Sequence, residues 1–223
     1  MLASILFWLI FLLMAVDWIA TGLKFRTVRQ ITKPGVLIVI ILWFSTQGGW
    51  HGALIWFGVG LVFSLLGDIF LLRPERTFLA GLVSFLLGHV CYIAGFNVYP
   101  IRWNGLILLA LGGVLLAAVL IGRHILRGLK RGDSYSRLKI PVLTYMTAIS
   151  FMVLSALECF FRPAWPIRAA LVSSLGAASF LASDSILASD RFVRQRPWAP
   201  VALMITYHLG QVLIIAGALL AQG

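Results

Sequence analysis

The sequence has little charge and almost no cysteine. Charged residues occupy 11% of its 223 positions and hydrophobic residues occupy 61%. Because a soluble domain carries about a quarter charged residues, these proportions exclude an ordinary soluble globular protein. The two cysteines, Cys91 and Cys159, both lie in apolar stretches and offer neither a disulfide framework nor the spacing of a zinc finger.

Acidic residues are also scarce, with 7 Asp and Glu against 18 Lys and Arg and a formal net charge of +11. In a soluble protein such an excess would suggest a nucleic-acid partner. Here the basic residues occupy short segments between long apolar runs. We therefore expect them to face anionic lipids at a membrane surface, and we expect no nucleic-acid partner.

The apolar runs are each close to the roughly 20 residues that a helix needs to cross a bilayer core of about 30 Å. They predict one all-α domain over residues 1–223, a polytopic bundle of eight transmembrane helices. The first run has no cleavage pattern and is expected to be retained. Lys33-Pro34 is expected to open the second helix. The predicted spans are about 2–21, 34–50, 52–72, 77–97, 104–122, 140–160, 166–188 and 199–220.

The basic residues are distributed unevenly among the loops. Of the 18 Lys and Arg, 15 follow the first, third, fifth and seventh spans, and only Arg102, Arg162 and Arg168 lie on the other side. The positive-inside rule then predicts both termini outside and the basic loops in the cytoplasm. We expect a multi-pass protein of the bacterial inner membrane. Glycines seven residues apart in four spans, from Gly60 and Gly67 to Gly210 and Gly217, predict seams of close helix packing.

Three aspartates lie within spans: Asp17, Asp68 and Asp184. Each precedes a cytoplasmic basic cluster by a few residues, so a helical rise of about 1.5 Å per residue places all three at similar depth. Ionisable groups in hydrocarbon are costly and typical of functional sites. Asp68 and Asp184 lie beside small residues and are predicted to share a pocket. Asp17, near the end of its span, is expected to bond a neighbouring helix.

Further polar side chains predict a cavity entered from the cytoplasmic half. The histidines and tyrosines among them allow two interpretations, as parts of a site or as bridges and packing between helices. No His-x-x-x-His, Glu-x-x-His or paired-cysteine motif occurs, so no metal is expected. No nucleophile elbow supports acyl-enzyme chemistry. The candidate binding residues are Lys33, Ser64, His89, Tyr92, Tyr145, Tyr207, His208 and Gln211.

A series of motifs follows in order from the second span to the eighth: Thr32-Lys33-Pro34, Gly67-Asp68-Ile69-Phe70-Leu71-Leu72, Gly88-His89 with Tyr92, Ser183-Asp184-Ser185, and Tyr207 with Gln211. In this order they resemble the YhhN family, whose animal members are the lysoplasmalogenases of the TMEM86 type. The resemblance implies an eight-span enzyme that hydrolyses the vinyl-ether bond of a lysophospholipid within the bilayer. The products would be a fatty aldehyde and glycerophosphoethanolamine or glycerophosphocholine.

Such chemistry needs a proton delivered to an alkene carbon and then a water added to the resulting cation. One protonated and one ionised carboxyl meet those needs without metal or cofactor. Two carboxyls close together in a low-dielectric cavity do not both ionise easily. Asp68 and Asp184 are therefore the predicted catalytic pair, and either one could be the acid. Lys33 is expected at the cytoplasmic mouth, in reach of the substrate phosphate.

Intramembrane carboxylates are equally typical of transporters. Leu-Leu-Gly-Asp-Ile-Phe-Leu at 65–71 echoes Leu-Ala-Ser-Asp-Ser-Ile-Leu at 181–187, but the echo is too short to establish a duplicated architecture. No helix is broken at mid-membrane in both halves of the sequence. A proton-coupled transporter of a small molecule or lipid is the alternative hypothesis, and a lipid-binding scaffold is a third.

Overall fold

The computed structural model describes residues 1–129 and 138–222. Lys130, Arg131 and Arg137 of the predicted basic loop lie outside this part of the chain. A short 3-10 turn, Cys159–Phe161, extends the sixth helix. The α-helices are α1 Leu2–Gly22, α2 Arg26–Thr46, α3 Leu54–Phe70, α4 Pro74–Phe96, α5 Leu106–Leu129, α6 Lys139–Glu158, α7 Ile167–Phe192 and α8 Ala199–Leu220.

Seven helices of the described chain are long and apolar enough to cross a membrane. The exception is α3, which is apolar but has 17 residues. At about 1.5 Å per residue it spans roughly 26 Å, less than a typical bilayer core. The all-helical prediction is confirmed for these residues, and the seven long helices identify a multi-pass membrane protein. The predicted third span corresponds to a helix that is shorter than the others.

The predicted start of the second span is wrong. α2 begins at Arg26, and Pro34 lies inside the helix and not in its first turn. The two extra turns are rich in polar residues, which a search for apolar runs does not detect although Arg and Gln are good helix formers. A single proline is tolerated inside a membrane helix, where neighbouring groups can satisfy the freed carbonyl. The earlier start places Lys33 on a continuous helix that faces the bundle.

Close packing between α7 and α8 depends on small residues. A Cβ atom on Gly217 would lie 2.7 Å from the backbone nitrogen of Ser173, and one on Gly176 would lie 2.6 Å from that of Ile214. No side chain fits there, so the two backbones approach each other directly. The predicted glycine seam is confirmed on α8. It is wrong on α5, where a Cβ atom added to Gly105 or Gly112 would meet no other atom within 4 Å.

α8 lies at the centre of the bundle and α5 at its edge, where most of its surface is exposed. α5 contacts α6 and α7 but buries few of its own residues. Because a helix in lipid needs no polar outer face, such a peripheral helix is stable without being enclosed. This arrangement leaves space between α5 and its neighbours, and the candidate active site opens into that space.

Candidate active site

Two buried charged residues and a buried tyrosine form a group, here called the Lys33 cluster: Lys33 on α2, Asp68 on α3 and Tyr207 on α8. Lys33 Nζ lies 3.1 Å from Asp68 Oδ1. The Tyr207 hydroxyl donates a hydrogen bond of 2.8 Å to Asp68 Oδ2. An ion pair removed from water needs such added hydrogen bonds, because desolvation of both ions opposes its formation. The cluster therefore joins three helices inside the bundle.

Lys33 does not lie at the cytoplasmic mouth, as the sequence had predicted. Only 6% of its surface is exposed, and its ammonium group is paired with Asp68. The difference arises because α2 starts at Arg26, so Lys33 is two turns inside the helix and not at its beginning. A substrate phosphate could reach this ammonium only by displacing a buried carboxylate.

Two further buried residues bond across helices beside this cluster. Asp17 Oδ1 accepts a hydrogen bond of 2.6 Å from the Thr32 hydroxyl, as expected for an aspartate that joins α1 to α2. The Trp18 indole donates to His208 Nδ1 at 3.1 Å. Thr32 and Trp18 were not among the predicted polar residues. Thr32 does belong to the Thr32-Lys33-Pro34 motif of the family resemblance, which is the signal that could have included it.

Three predicted residues lie deeper in the same interior. The Tyr92 hydroxyl donates to Gln211 Oε1 at 2.6 Å and joins α4 to α8. Ser64 is buried against α4, where its Oγ would lie 3.2 Å from a Cβ placed on Gly88. These contacts are those of bridges between helices. All three side chains are almost fully buried, and none of them lines the cavity that is described below.

A second group, the Asp184 cluster, consists of Asp184 on α7, Tyr145 on α6 and His89 on α4. The Tyr145 hydroxyl donates a short hydrogen bond of 2.5 Å to Asp184 Oδ2. His89 Nε2 lies 2.9 Å from the Tyr145 oxygen and 3.4 Å from Asp184 Oδ2. If Tyr145 donates to the carboxylate, its oxygen is free to accept the Nε2 proton of His89. The three groups then form a directed chain of hydrogen bonds that ends on Asp184.

The two carboxyl groups belong to separate clusters, and among the described residues no hydrogen bond or ion pair joins them. Phe180 packs between the clusters, with its ring centroid 5.4 Å from that of Tyr207 and 4.8 Å from that of His89. This arrangement differs from the predicted shared chamber. Equal depth along the helix axes does not determine direction around the bundle, and Asp68 and Asp184 face different neighbours.

A narrow cavity of about 50 Å³ lies next to the Asp184 cluster. Its wall is almost entirely apolar, and Asp184 carries the one carboxyl group among the residues that line it. The Asp184 side chain is 15% exposed, whereas that of Asp68 is completely buried. The cavity can hold water, since one molecule needs only about 15 Å³ of such volume. Its apolar lining includes Phe78, Leu82, Phe85, Ile121, Val142 and Met146.

Of the predicted site residues, therefore, Asp184 and Tyr145 line the cavity, and His89 contacts both of them without lining it. The apolar lining contributed by α5 and α6 was not predicted. Apolar residues that face a cavity carry no sequence signal that separates them from those that face lipid. The described residues contain no group of three or more His, Cys, Asp or Glu that could hold a metal ion.

Comparison with known proteins shows the family directly. The sequence model of the YhhN family matches residues 28–218, from the first turn of α2 to the end of α8. This chain belongs to the YhhN family. The resemblance based on the aspartate motifs is thereby confirmed over most of the chain, and α1 lies wholly outside the matched range.

Several relatives carry a functional name. Lysoplasmalogenase TMEM86B of Mus musculus is 30% identical over 192 residues, which cover 86% of this chain and 74% of that protein. Lysoplasmalogenase TMEM86A of Homo sapiens is 30% identical over 163 residues, 72% of this chain and 63% of that protein. A lysoplasmalogenase of Mycobacterium tuberculosis is 29% identical over 164 residues, 73% of this chain and 59% of that protein. No solved structure matches the chain significantly.

Proposed function

We propose that this chain is an integral membrane lysoplasmalogenase that hydrolyses the vinyl-ether bond of alkenyl-glycerophosphoethanolamine or alkenyl-glycerophosphocholine. The observation that carries the proposal is the position of Asp184 in the wall of an apolar cavity. In a vinyl ether the reacting carbons are the first carbons of the hydrocarbon chain. A suitable acid must therefore lie beside apolar space, and the names of the relatives point to the same substrate class.

Asp184 is proposed as the residue that touches the reacting atoms. As a carboxylic acid it donates a proton to the second alkenyl carbon, which gives an oxocarbenium ion at the carbon bonded to oxygen. The carboxylate that remains stabilises this cation. It then accepts a proton from the water that attacks the cationic carbon, and the hemiacetal collapses to an aldehyde and the free glycerol hydroxyl. Asp184 thus acts first as acid and then as base, and one water is consumed.

Tyr145 and His89 are proposed to position Asp184. The Tyr145 hydroxyl occupies Oδ2 of the carboxyl group, which leaves Oδ1 for the substrate and water. The His89 ring, 1% exposed and packed edge-on against Phe180, fixes the orientation of Tyr145. A rigid hydrogen-bond chain of this kind holds a carboxyl group in one rotamer, and catalysis depends on such positioning.

Asp68, the other member of the predicted pair, is proposed to act through its neighbours. Its carboxylate holds Lys33 and Tyr207, and the Tyr207 ring packs against Phe180. Phe180 in turn contacts His89. Asp68 is thus a positioning residue, which orders the wall behind the Asp184 cluster without reaching the cavity.

The proposed topology follows the positive-inside rule, with both termini outside and the basic loops in the cytoplasm of a bacterial inner membrane. Asp184 lies seven residues before Arg191 on α7, and Lys33 lies seven residues after Arg26, the first residue of α2. Both clusters then fall in the cytoplasmic half of the bundle. The exposed basic residues at this end, Arg26, Arg76 and Arg194 among them, would contact anionic lipids.

Turnover of a defined substrate tests the proposed function. Purified protein in detergent, given alkenyl-lysophosphatidylethanolamine, is expected to release fatty aldehyde and glycerophosphoethanolamine in equal amounts. The matched acyl-lysophospholipid, which has no vinyl ether, should not be cleaved. Absence of aldehyde together with gradient-driven lipid uptake into protein-containing vesicles would instead establish the transporter alternative.

Replacement of Tyr145 by phenylalanine is expected to lower kcat by about 10- to 100-fold, because a hydrogen bond to a charged group contributes about 1.5–3 kcal/mol. The ring and its packing remain, so the variant should still fold, with a free energy of unfolding lower by no more than about 1.5–3 kcal/mol. Tyr99→Phe is the control, since the Tyr99 hydroxyl lies in a loop and contacts Gln222 at 3.5 Å. Equal activity in Tyr145→Phe and the parent would remove Tyr145 from the proposed mechanism.

A further inference from the structure

A second apolar space, here called the groove, lies on the outer face of the bundle between α5 and α6. Its volume is about 380 Å³, far larger than that of the cavity beside Asp184. Exposed side chains such as Leu115, Val119 and Phe151 form its walls. Its position on the apolar surface of the bundle means that the hydrocarbon of the membrane has direct access to it.

The groove and the cavity are adjacent and share part of their walls. Ala118 on α5 and Met146 and Ser150 on α6 line both of them. The Met146 methyl group lies 3.2 Å from the position that a Cβ on Gly122 would take, so this side chain fills the gap between the two helices. Methionine is unbranched and flexible and adapts readily to a changed volume. A change of its rotamer would open a passage from the groove to Asp184.

The groove carries a single basic side chain, Arg123, among the residues that line it. His124 Nε2 lies 3.1 Å from Ser189 Oγ, which places these positions of α5 and α7 at the same level. Both helices run in the same direction, so Arg123 lies closer to the basic end than Asp184 by about one helical turn, or 5–6 Å. The glycerol backbone of a lysolipid separates its phosphate from its ether oxygen by a comparable distance.

We propose that the groove is a lateral entrance for a single-chain phospholipid, with Met146 as its gate and Arg123 as its phosphate-binding residue. The inference rests on the proposed function. The phosphate binds Arg123, the vinyl ether passes Met146 to reach Asp184, and the remaining alkyl chain lies in the groove. A guanidinium group suits this role because it offers paired donors to phosphate oxygens.

Blocking the groove after folding tests the entrance. The two native cysteines are buried, so a single introduced cysteine can be labelled selectively with a bulky thiol reagent. Labelled Val119→Cys, whose position lines the groove, is expected to lose at least about tenfold in kcat/KM. Labelled Leu120→Cys, equally exposed but outside the groove, should stay within about twofold of its unlabelled form. Equal effects at both positions, or no effect at Val119→Cys, would overturn the entrance.

The phosphate site is tested by Arg123→Gln against Arg127→Gln. Loss of a charge-assisted contact to the substrate phosphate should raise KM by about tenfold or more and change kcat little. Arg127 is on the same helix but does not line the groove, and its replacement should leave KM within about twofold. An unchanged KM in Arg123→Gln would overturn the assignment.

A binding measurement separates this inference from the proposed function. A lysophosphatidylcholine with a photoreactive group in its chain is expected to cross-link to peptides of α5 and α6 in the parent protein, and less after Val119→Cys is labelled. Cross-linking there without aldehyde release from a vinyl-ether substrate would retain the entrance and reject the hydrolase. Aldehyde release with cross-links confined to other helices would retain the hydrolase and reject the entrance.

Discussion

Asp184→Asn is expected to lower the rate of aldehyde release by about 10²- to 10⁴-fold, the usual contribution of a general acid or base. Asparagine can neither donate a carboxylic proton to the alkene carbon nor accept one from water at neutral pH. Its oxygen can still accept the hydrogen bond from Tyr145, which now ends on Asp184 Oδ2. The fold should therefore persist, and thermal unfolding in detergent should remain within a few degrees of the parent.

The control for this substitution lies on the same helix. Asp190 accepts a hydrogen bond of 2.7 Å from the backbone nitrogen of Arg196 and does not line the cavity. Asp190→Asn keeps an oxygen for that bond, so its kcat should be close to that of the parent. If Asp184→Asn retained more than about a tenth of the parent rate, it could not be the acid.

Lys33→Met is expected to have the largest effect on stability, with a loss of about 3–5 kcal/mol, because it leaves the Asp68 carboxylate buried and uncompensated. The methionine side chain has similar length and fills the same volume. The loss would be measured as a lower unfolding temperature in detergent and a smaller yield of monodisperse protein. Lys24→Met, at an exposed position of the loop between α1 and α2, should change stability by less than about 0.5 kcal/mol.

The double variant Lys33→Met with Asp68→Asn separates the ion pair from simple packing. It removes both charges, and asparagine retains an acceptor for the Tyr207 hydroxyl that now bonds Asp68. The double variant should therefore be more stable than Lys33→Met alone, since a buried charge without a partner is more costly than a neutral pair. If the loss of stability in the double variant equalled the sum of the losses in Lys33→Met and Asp68→Asn, the two charges would not interact.

Hydropathy located the helices because the bilayer imposes a minimum apolar length on each span. It failed at the beginning of α2, where the helix continues beyond the hydrocarbon region through polar residues from Arg26. It overestimated α3 by two residues at each end, because residues 52–53 and 71–72 form turns and not helix. In both cases the apolar run and the helix end at different residues, and hydropathy detects only the apolar run.

The depth of the aspartates was predictable in part. Asp17 and Asp68 bond to Thr32 and Lys33, which are consecutive on α2, so these two carboxyl groups do lie at a similar level. What could not be predicted is the partner of each group. Three acids at one depth could all have shared a chamber, and the structure instead pairs Asp68 with a lysine and Asp184 with a tyrosine.

The order of residues along the chain was enough to establish a multi-pass helical membrane protein of the YhhN type and to identify the few polar side chains within its spans. The packing of the helices was needed to show that Asp184 faces a cavity and that Asp68 is enclosed with Lys33. The reason is that lipid and helix surfaces are equally apolar, so the pattern of apolar residues does not encode the order of helices around the bundle. That order is set by close contacts such as those of Gly176 and Gly217.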